Sequence, residues 1–262
     1  MRILILGGTG EARELAGELA ARDVDVLSSL AGRVRNPRLP AGPVRVGGFG
    51  GADGLAAFIR RERVTHLIDA THPFAGTITA NAALAAEQAG VPRLVLRRPG
   101  WDADPAWRTV AGMTEAAEAV RDWRGEGPGE GENHGHGDGV FLTTGRRDLA
   151  VFAGDDAHRF LVRTVDPPDG PVPPRMTLVT SRGPYTADGE SRLMRRHGVG
   201  LLVTKNSGGP MTSAKLTAAR DLGVAVVMVQ RPPLPHGSVT VPAVAAALRW
   251  LTSHCPDGYT LG

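Results

Sequence analysis

Short apolar runs that alternate with segments of helical period are the feature of this chain that most limits its fold. In the first half the expected strands are Arg2–Leu6, Val24–Ser28, Val44–Val46, Thr65–Asp69 and Arg93–Leu96, with expected helices at Glu11–Arg22, Ala52–Arg63 and Thr77–Ala89. A strand covered on both faces must be apolar throughout, and parallel neighbours need a crossover helix, so the alternation predicts βαβ units and a mostly parallel α/β sheet. After Trp101 the pattern starts again. A helix is expected at Thr114–Trp123, then strands at Val140–Thr143, Arg159–Arg163, Thr177–Thr180, Gly200–Thr204 and Val224–Val229. The accompanying helices are Arg146–Ala153, Thr186–His197, Thr212–Leu222 and Val241–Thr252. Two α/β domains follow, residues 1–108 and 109–262, alike in the order of elements but without a sequence repeat.

Several function classes are disfavoured at once. The longest apolar runs, Ile3–Leu6 and Val224–Val229, fall far short of the roughly 20 residues that cross a bilayer, so no membrane partner is expected. A formal charge of +3 on 262 residues is too balanced for a nucleic-acid coat. Cys255 is the only cysteine, which excludes an intramolecular disulfide and fits a reducing, cytoplasmic setting. The Gly-rich stretch Gly125–Gly139 reads as a flexible insertion, and His134 and His136 within it lack a third ligand, so no metal site is expected. Lys205 and Lys215 are the only lysines among thirty cations. Arg-rich codon usage explains that bias, so function must be sought in the position of the cations.

The first expected strand runs into Gly7-Gly8-Thr9-Gly10-Glu11 and then a helix, which sets backbone N–H groups and a helix N-terminus where an anion can sit. Gly8 and Gly10 match the dinucleotide fingerprint, but its third glycine is replaced by Arg13, so a tight βα turn is the competing reading. The second strand ends in Ser28-Ser29 and is followed by Arg33, with no carboxylate at its tip to grip a ribose. Hydroxyls and a cation there favour NADPH over NADH, although Arg33 also fits a solvated loop. The fourth strand ends in Asp69-Ala70-Thr71-His72-Pro73-Phe74, at the sheet edge where ligands bind. His72 suits nicotinamide orientation or proton relay, and equally a packing or capping role.

The second half places a cation with small or hydroxyl residues after three strands: Thr143-Thr144-Gly145-Arg146-Arg147, Ser181-Arg182-Gly183-Pro184-Tyr185 and Thr204-Lys205-Asn206-Ser207-Gly208-Gly209. Such loops suit a polyanionic ligand. Neither Ser181 nor Ser207 sits in a G-x-S-x-G elbow, which argues against hydrolysis. A non-catalytic NADP sensor is an alternative, as is a nucleotide-sugar reductase or epimerase. The latter lacks its Tyr-x-x-x-Lys pair, since Gly189 stands four residues after Tyr185.

Together with Gly47-Gly48-Phe49 and Arg98-Pro99-x-Trp101, these motifs resemble the precorrin-6A reductase family of cobalamin biosynthesis over nearly the whole chain. The resemblance implies two Rossmann-like domains that exchange terminal strands, with Val224–Val229 the candidate for pairing in the first sheet. It further implies an NADPH-dependent reductase that converts precorrin-6A to precorrin-6B by hydride transfer and protonation of the neighbouring carbon, then hands the product to the next enzyme. On this reading Gly8, Thr9, Gly10, Glu11, Ser28, Ser29, Arg33, Thr71, His72, Pro73 and Phe74 bind coenzyme. Arg98, Arg146, Arg182, Tyr185, Lys205, Asn206 and Ser207 bind the polycarboxylate tetrapyrrole, with Arg147 and Arg231 as weaker options. The proton comes from His72, Tyr185 or water.

Overall fold

A computed structural model describes residues 1–32, 36–102, 104–125 and 137–254. The chain forms two compact units, one made of residues 1–99 with the segment from Pro232 onward, the other of residues 100–231. The boundary at 99/100 lies before the expected 108/109, and the C-terminal segment belongs to the first unit rather than the second.

The first unit contains β1 (Arg2–Leu6), α1 (Gly10–Ala20), β2 (Asp25–Leu30), β3 (Val44–Val46), α2 (Ala52–Arg61), β4 (His66–Asp69), α3 (Gly76–Ala89) and β5 (Arg93–Leu96). The second contains β6 (Arg108–Val110), α4 (Met113–Asp122), β7 (Gly139–Leu142), β8 (Arg159–Thr164), β9 (Met176–Thr180), α5 (Ala187–Arg196), β10 (Val199–Lys205), α6 (Ala214–Asp221) and β11 (Ala225–Val229). After it, β12 (Thr240–Val241) and α7 (Val244–Ser253) complete the first unit. Two expected helices are altered: Arg146–Phe152 is a 3₁₀ helix, and α6 is preceded by the 3₁₀ turn Pro210–Thr212.

The sheets run β12-β5-β4-β1-β2-β3 and β6-β11-β10-β7-β8-β9. Every pairing among the described strands is parallel. Both sheets have the doubly wound order, and in both the sixth position is filled by a strand from outside the five-strand run. That strand is β12 in the first sheet and β6 in the second, which is the exchange the resemblance implied. Val224–Val229 is not the exchanged segment. As β11 it lies between β10 and β6, its side chains buried, whereas the two-residue β12 joins β5 through main-chain bonds from Val95 N–H to Val239 O and Arg97 N–H to Val241 O, both 2.9 Å. A long apolar strand belongs in the middle of a sheet, and a short polar one only at its rim.

Strand alternation sorts the first core into two layers. Ile3 and Ile5 pack under α1 and α7 with Leu15, Leu19, Ala247 and Leu251, while Leu4 and Leu6 pack on the opposite face with Leu55, Ile59, Ala82 and Ala85 from α2 and α3. In α1 the buried residues Ala12, Leu15, Ala16 and Leu19 follow the i, i+3, i+4, i+7 spacing of one helical stripe. In the second unit Phe141, Leu161, Leu202 and Met228 from the sheet meet Met194 of α5 and Leu216 of α6.

Candidate functional site

In the first sheet the winding direction reverses between β1 and β4, so the loops after these strands flank the crevice where doubly wound sheets bind ligands. After β1, Gly8 has φ of +121°, a backbone conformation that favours glycine, and a Cβ there would meet nothing within 4 Å. The turn is therefore open as well as sharp. Thr9 is the N-cap of α1: its Oγ1 accepts from Ala12 N–H at 3.1 Å and donates to Ala70 O at 2.8 Å. Its hydroxyl ties the β1 turn to the β4 loop and is committed to that task. The first-turn amides of α1, Gly10 and Glu11 among them, have no carbonyl within their own helix to bond, and so suit an anion. Glu11 Oε2 accepts from Arg98 Nη1 at 2.9 Å, which places a cation after β5 beside the same helix start.

At the next strand end, Ser28 is buried and its hydroxyl has no hydrogen-bond partner, whereas Ser29 Oγ accepts from Arg45 Nη1 at 3.0 Å. Arg45 lies opposite Ser29 in the β2–β3 register and also donates to Gly47 O at 2.9 Å and Gly48 O at 2.8 Å. Its guanidinium lies 4.0 Å from the Phe49 ring centroid. Burial and the nearby Arg61 charge lower its pKa. Arg45 is a cation that sequence reading missed, because only the strand register puts it beside Ser29. Arg33, the cation expected here, lies outside the described residues.

The β4 loop is organised by Asp69. This carboxylate is buried; Oδ1 accepts from Thr71 N–H at 3.1 Å and Thr71 Oγ1 at 2.7 Å, and Oδ2 is buried without a partner. A small cavity beside it is lined by Thr71, His72, Pro73, Thr79 and Arg97. The Asp69 charge offsets part of the burial that lowers the pKa values of Arg93 and Arg97. His72 is exposed, its Nδ1 within 3.3 Å of Phe74 N, and its ring packs against Phe74. Pro73 is buried beneath the turn.

In the second unit two of the predicted cations have carboxylate partners. Arg146 donates to Asp169 Oδ2 at 2.8 Å and Lys205 pairs with Asp148, while Arg182 and Arg147 are exposed. Asn206 is buried and staples a neighbouring segment: its Oδ1 accepts from Trp101 N–H at 2.8 Å and its Nδ2 donates to Trp101 O at 3.3 Å. Arg231 Nε donates to Asn206 O at 2.6 Å. Ser207 N–H donates to Lys205 O at 2.7 Å, turning the loop after β10. Tyr185 donates its hydroxyl to Ser181 O at 3.0 Å, and its ring lies 3.7 Å from the Arg163 guanidinium, which is itself buried and paired with Glu190. Neither Arg163 nor Glu190 was singled out in the sequence. A cation inside a strand and a carboxylate on a helix reveal their burial only once the sheet is built.

Among the described residues no group of three or more His, Cys, Asp or Glu could hold a metal ion, and no helix is long and apolar enough to cross a membrane. A family model described as precorrin-6x reductase CbiJ/CobK matches residues 2–252. A precorrin-6A reductase from Rhodococcus erythropolis is 52% identical over 253 residues, covering 95% of this chain and 97% of that protein. One from Mycobacterium tuberculosis is 51% identical over 251 residues, covering 95% and 97%. A solved structure of CobK precorrin-6A reductase is similar with a TM-score of 0.84 at 38% identity, covering 99% of this chain and 100% of that one.

Proposed function

The chain belongs to the precorrin-6x reductase family, and from that membership we propose that it reduces precorrin-6A to precorrin-6B with NADPH in cobalamin biosynthesis. The observation that carries the coenzyme choice is the end of β2 and β3, where Ser29 and Arg45 pair at 3.0 Å and the sequence after either strand carries no Asp or Glu before Asp53. Hydroxyl and guanidinium suit a ribose 2′-phosphate, whereas a bare ribose is usually held by Asp or Glu. The open turn at Gly8 and the first-turn amides of α1 suit the pyrophosphate. NADPH, when bound, supplies the hydride.

The chain's own residues bind, orient and protonate. Thr9 and Asp69 hold the β1 and β4 loops in register at the crevice, so that Thr71, His72, Pro73 and Phe74 can border the nicotinamide. Arg98, paired with Glu11, keeps a cation beside the helix start. In the second unit Arg146, Arg182, Lys205 and Ser207 take substrate carboxylates, with Asp169 and Asp148 holding two of the cations ready in its absence. Each charge-assisted contact contributes about 1.5–3 kcal/mol, so a few of them fix a large polyacid. The proton for the neighbouring carbon comes from the exposed His72 ring, or from water beside it, in preference to the Tyr185 hydroxyl that is bonded to Ser181. Holding two reactants in near-attack geometry lowers a barrier by roughly 7–11 kcal/mol, which makes an elaborate acid–base dyad unnecessary.

Purified protein given precorrin-6A should oxidise one NADPH per macrocycle, and NADPH binding without oxidation would overturn the reading. Arg45→Ala should raise the Kd for NADPH about tenfold or more, as expected for one charge-assisted contact, with the Kd for NADH unchanged. Equal losses for both coenzymes would remove Arg45 from the 2′-phosphate.

A further inference from the structure

Two lysines among twenty-eight arginines invite a chemical question, because an ammonium can lose its proton inside a protein and a guanidinium cannot. Lys205 ends β10 and pairs with Asp148. Lys215 sits on α6 with 4% of its surface exposed, and its Nζ lies 4.9 Å from the centroid of the Trp101 ring. Trp101 lies between β5 and β6 and is bonded to the loop after β10. Trp101 donates its backbone N–H to Asn206 at 2.8 Å and its indole N–H to Gly209 O at 2.9 Å, and it accepts from Asn206 Nδ2 at 3.3 Å. Lys215 therefore lies against a ring that is itself bonded to the Lys205–Gly209 loop, in a place where water screens charge poorly.

We propose that Lys215 is a positioning cation whose protonation state sets the affinity of the Lys205–Gly209 loop for substrate carboxylates. The proposal rests on the reading that this loop receives a polycarboxylate tetrapyrrole. Burial pushes the Lys215 ammonium down to about 7, with the Arg163 charge of β8 acting in the same direction and Glu190 of α5 opposing it. The other charged residues of α5, Asp188, Arg192, Arg195 and Arg196, are exposed, and neither β11 nor the turn Pro210–Thr212 brings a charge to α6. Arg220 and Asp221 stand at the far end of α6 itself. The ammonium is charged below this midpoint and neutral above it, and a bound anion favours the charged form. Affinity must then be highest below the midpoint of the free protein and fall as pH rises through it. Each unit by which an anion lifts the midpoint appears as about a tenfold change in Kd between the two limits.

The test uses the full chain labelled with carbon-13 at lysine Cε, which gives two lysine resonances, assigned with Lys205→Ala. The probe is uroporphyrin III, a tetrapyrrole octacarboxylate. Expected are a Lys215 midpoint near 7 that rises when the probe is added, and a probe Kd about tenfold weaker at pH 9 than at pH 6. Lys215→Met should flatten that pH profile, and Lys215→Arg should keep tight binding to pH 9. A midpoint above 9, a midpoint unmoved by bound probe, or an unchanged profile in Lys215→Met would overturn the proposal while leaving the carboxylate reading intact. No binding of the probe at pH 6 would overturn that reading, and the proposal with it. Should either variant fail to fold, the resonances of the parent protein decide alone.

Discussion

The residues whose roles are clearest are those that hold other groups in place. Thr9 both caps α1 and bonds Ala70 O, so Thr9→Ala should destabilise the first unit by about 1–2 kcal/mol in a denaturant titration, and Thr9→Ser should restore most of it. Lys215 has a stability consequence whose sign follows from its lowered midpoint near 7. The unfolded chain holds this proton up to about pH 10.4, so between the two values the unfolded state binds more protons and stability rises with pH. Charged Lys215 is thus a burden below pH 7. Lys215→Met should raise Tm by an amount worth on the order of a few kcal/mol at pH 6, and the gain should vanish toward pH 10; an equal gain at both values would refute the cause. Such residues were hard to see in the sequence. Lys215 is a cation on a helix, the commonest kind of solvent-facing residue, and only the packing of α6 turns it inward. Asn206 carried a polar side chain at a strand end and so read as a ligand group, although its amide is bonded in both directions to Trp101.

Elements were legible in proportion to the apolar surface they bury. β1, β10 and β11 announce themselves as apolar runs, and α1 and α3 by their periodic alanines and leucines. β6 and β12 did not, because three and two residues joined to a sheet edge by backbone bonds leave no side-chain signature. The turn after β1 and the motif after β4 were readable because glycine and proline punctuate them, but the pairing of Ser29 with Arg45 needed the register of two strands. α7 supplies a test at this scale. Leu251 is fully buried against α1 and the first sheet, so Leu251→Ala should cost about 2–5 kcal/mol, with accelerated amide exchange in β1 and α1 rather than in β7 and β10. Gly54→Ala is a second test. A Cβ at this position would lie 1.8 Å from Phe49 O, so α2 must shift and disturb the Arg45–Phe49 contact. Weaker NADPH binding together with a clear loss of stability is the expected outcome, read by calorimetry and thermal melting.

At the scale of the whole molecule, the second unit is one uninterrupted stretch and the first is not. Residues 100–231 expressed alone should give a cooperative thermal transition by circular dichroism. Residues 1–99 alone lack β12 and α7, which leaves β5 without its outer neighbour and the α1 layer without Val244, Ala247 and Leu251. That fragment should bind an exposed-surface dye and melt without cooperativity, and a sharp transition would show that the last strand and helix are dispensable. The same interruption imposes an order on biosynthesis. A ribosome finishes the middle of the protein before the beginning has all its parts, and at about 5–20 residues per second the opening sheet waits on the order of ten seconds for its closing helix. During that wait the nascent chain carries bare hydrocarbon and an open sheet rim, so chaperone demand should be set by the first hundred residues and relieved only by the last thirty.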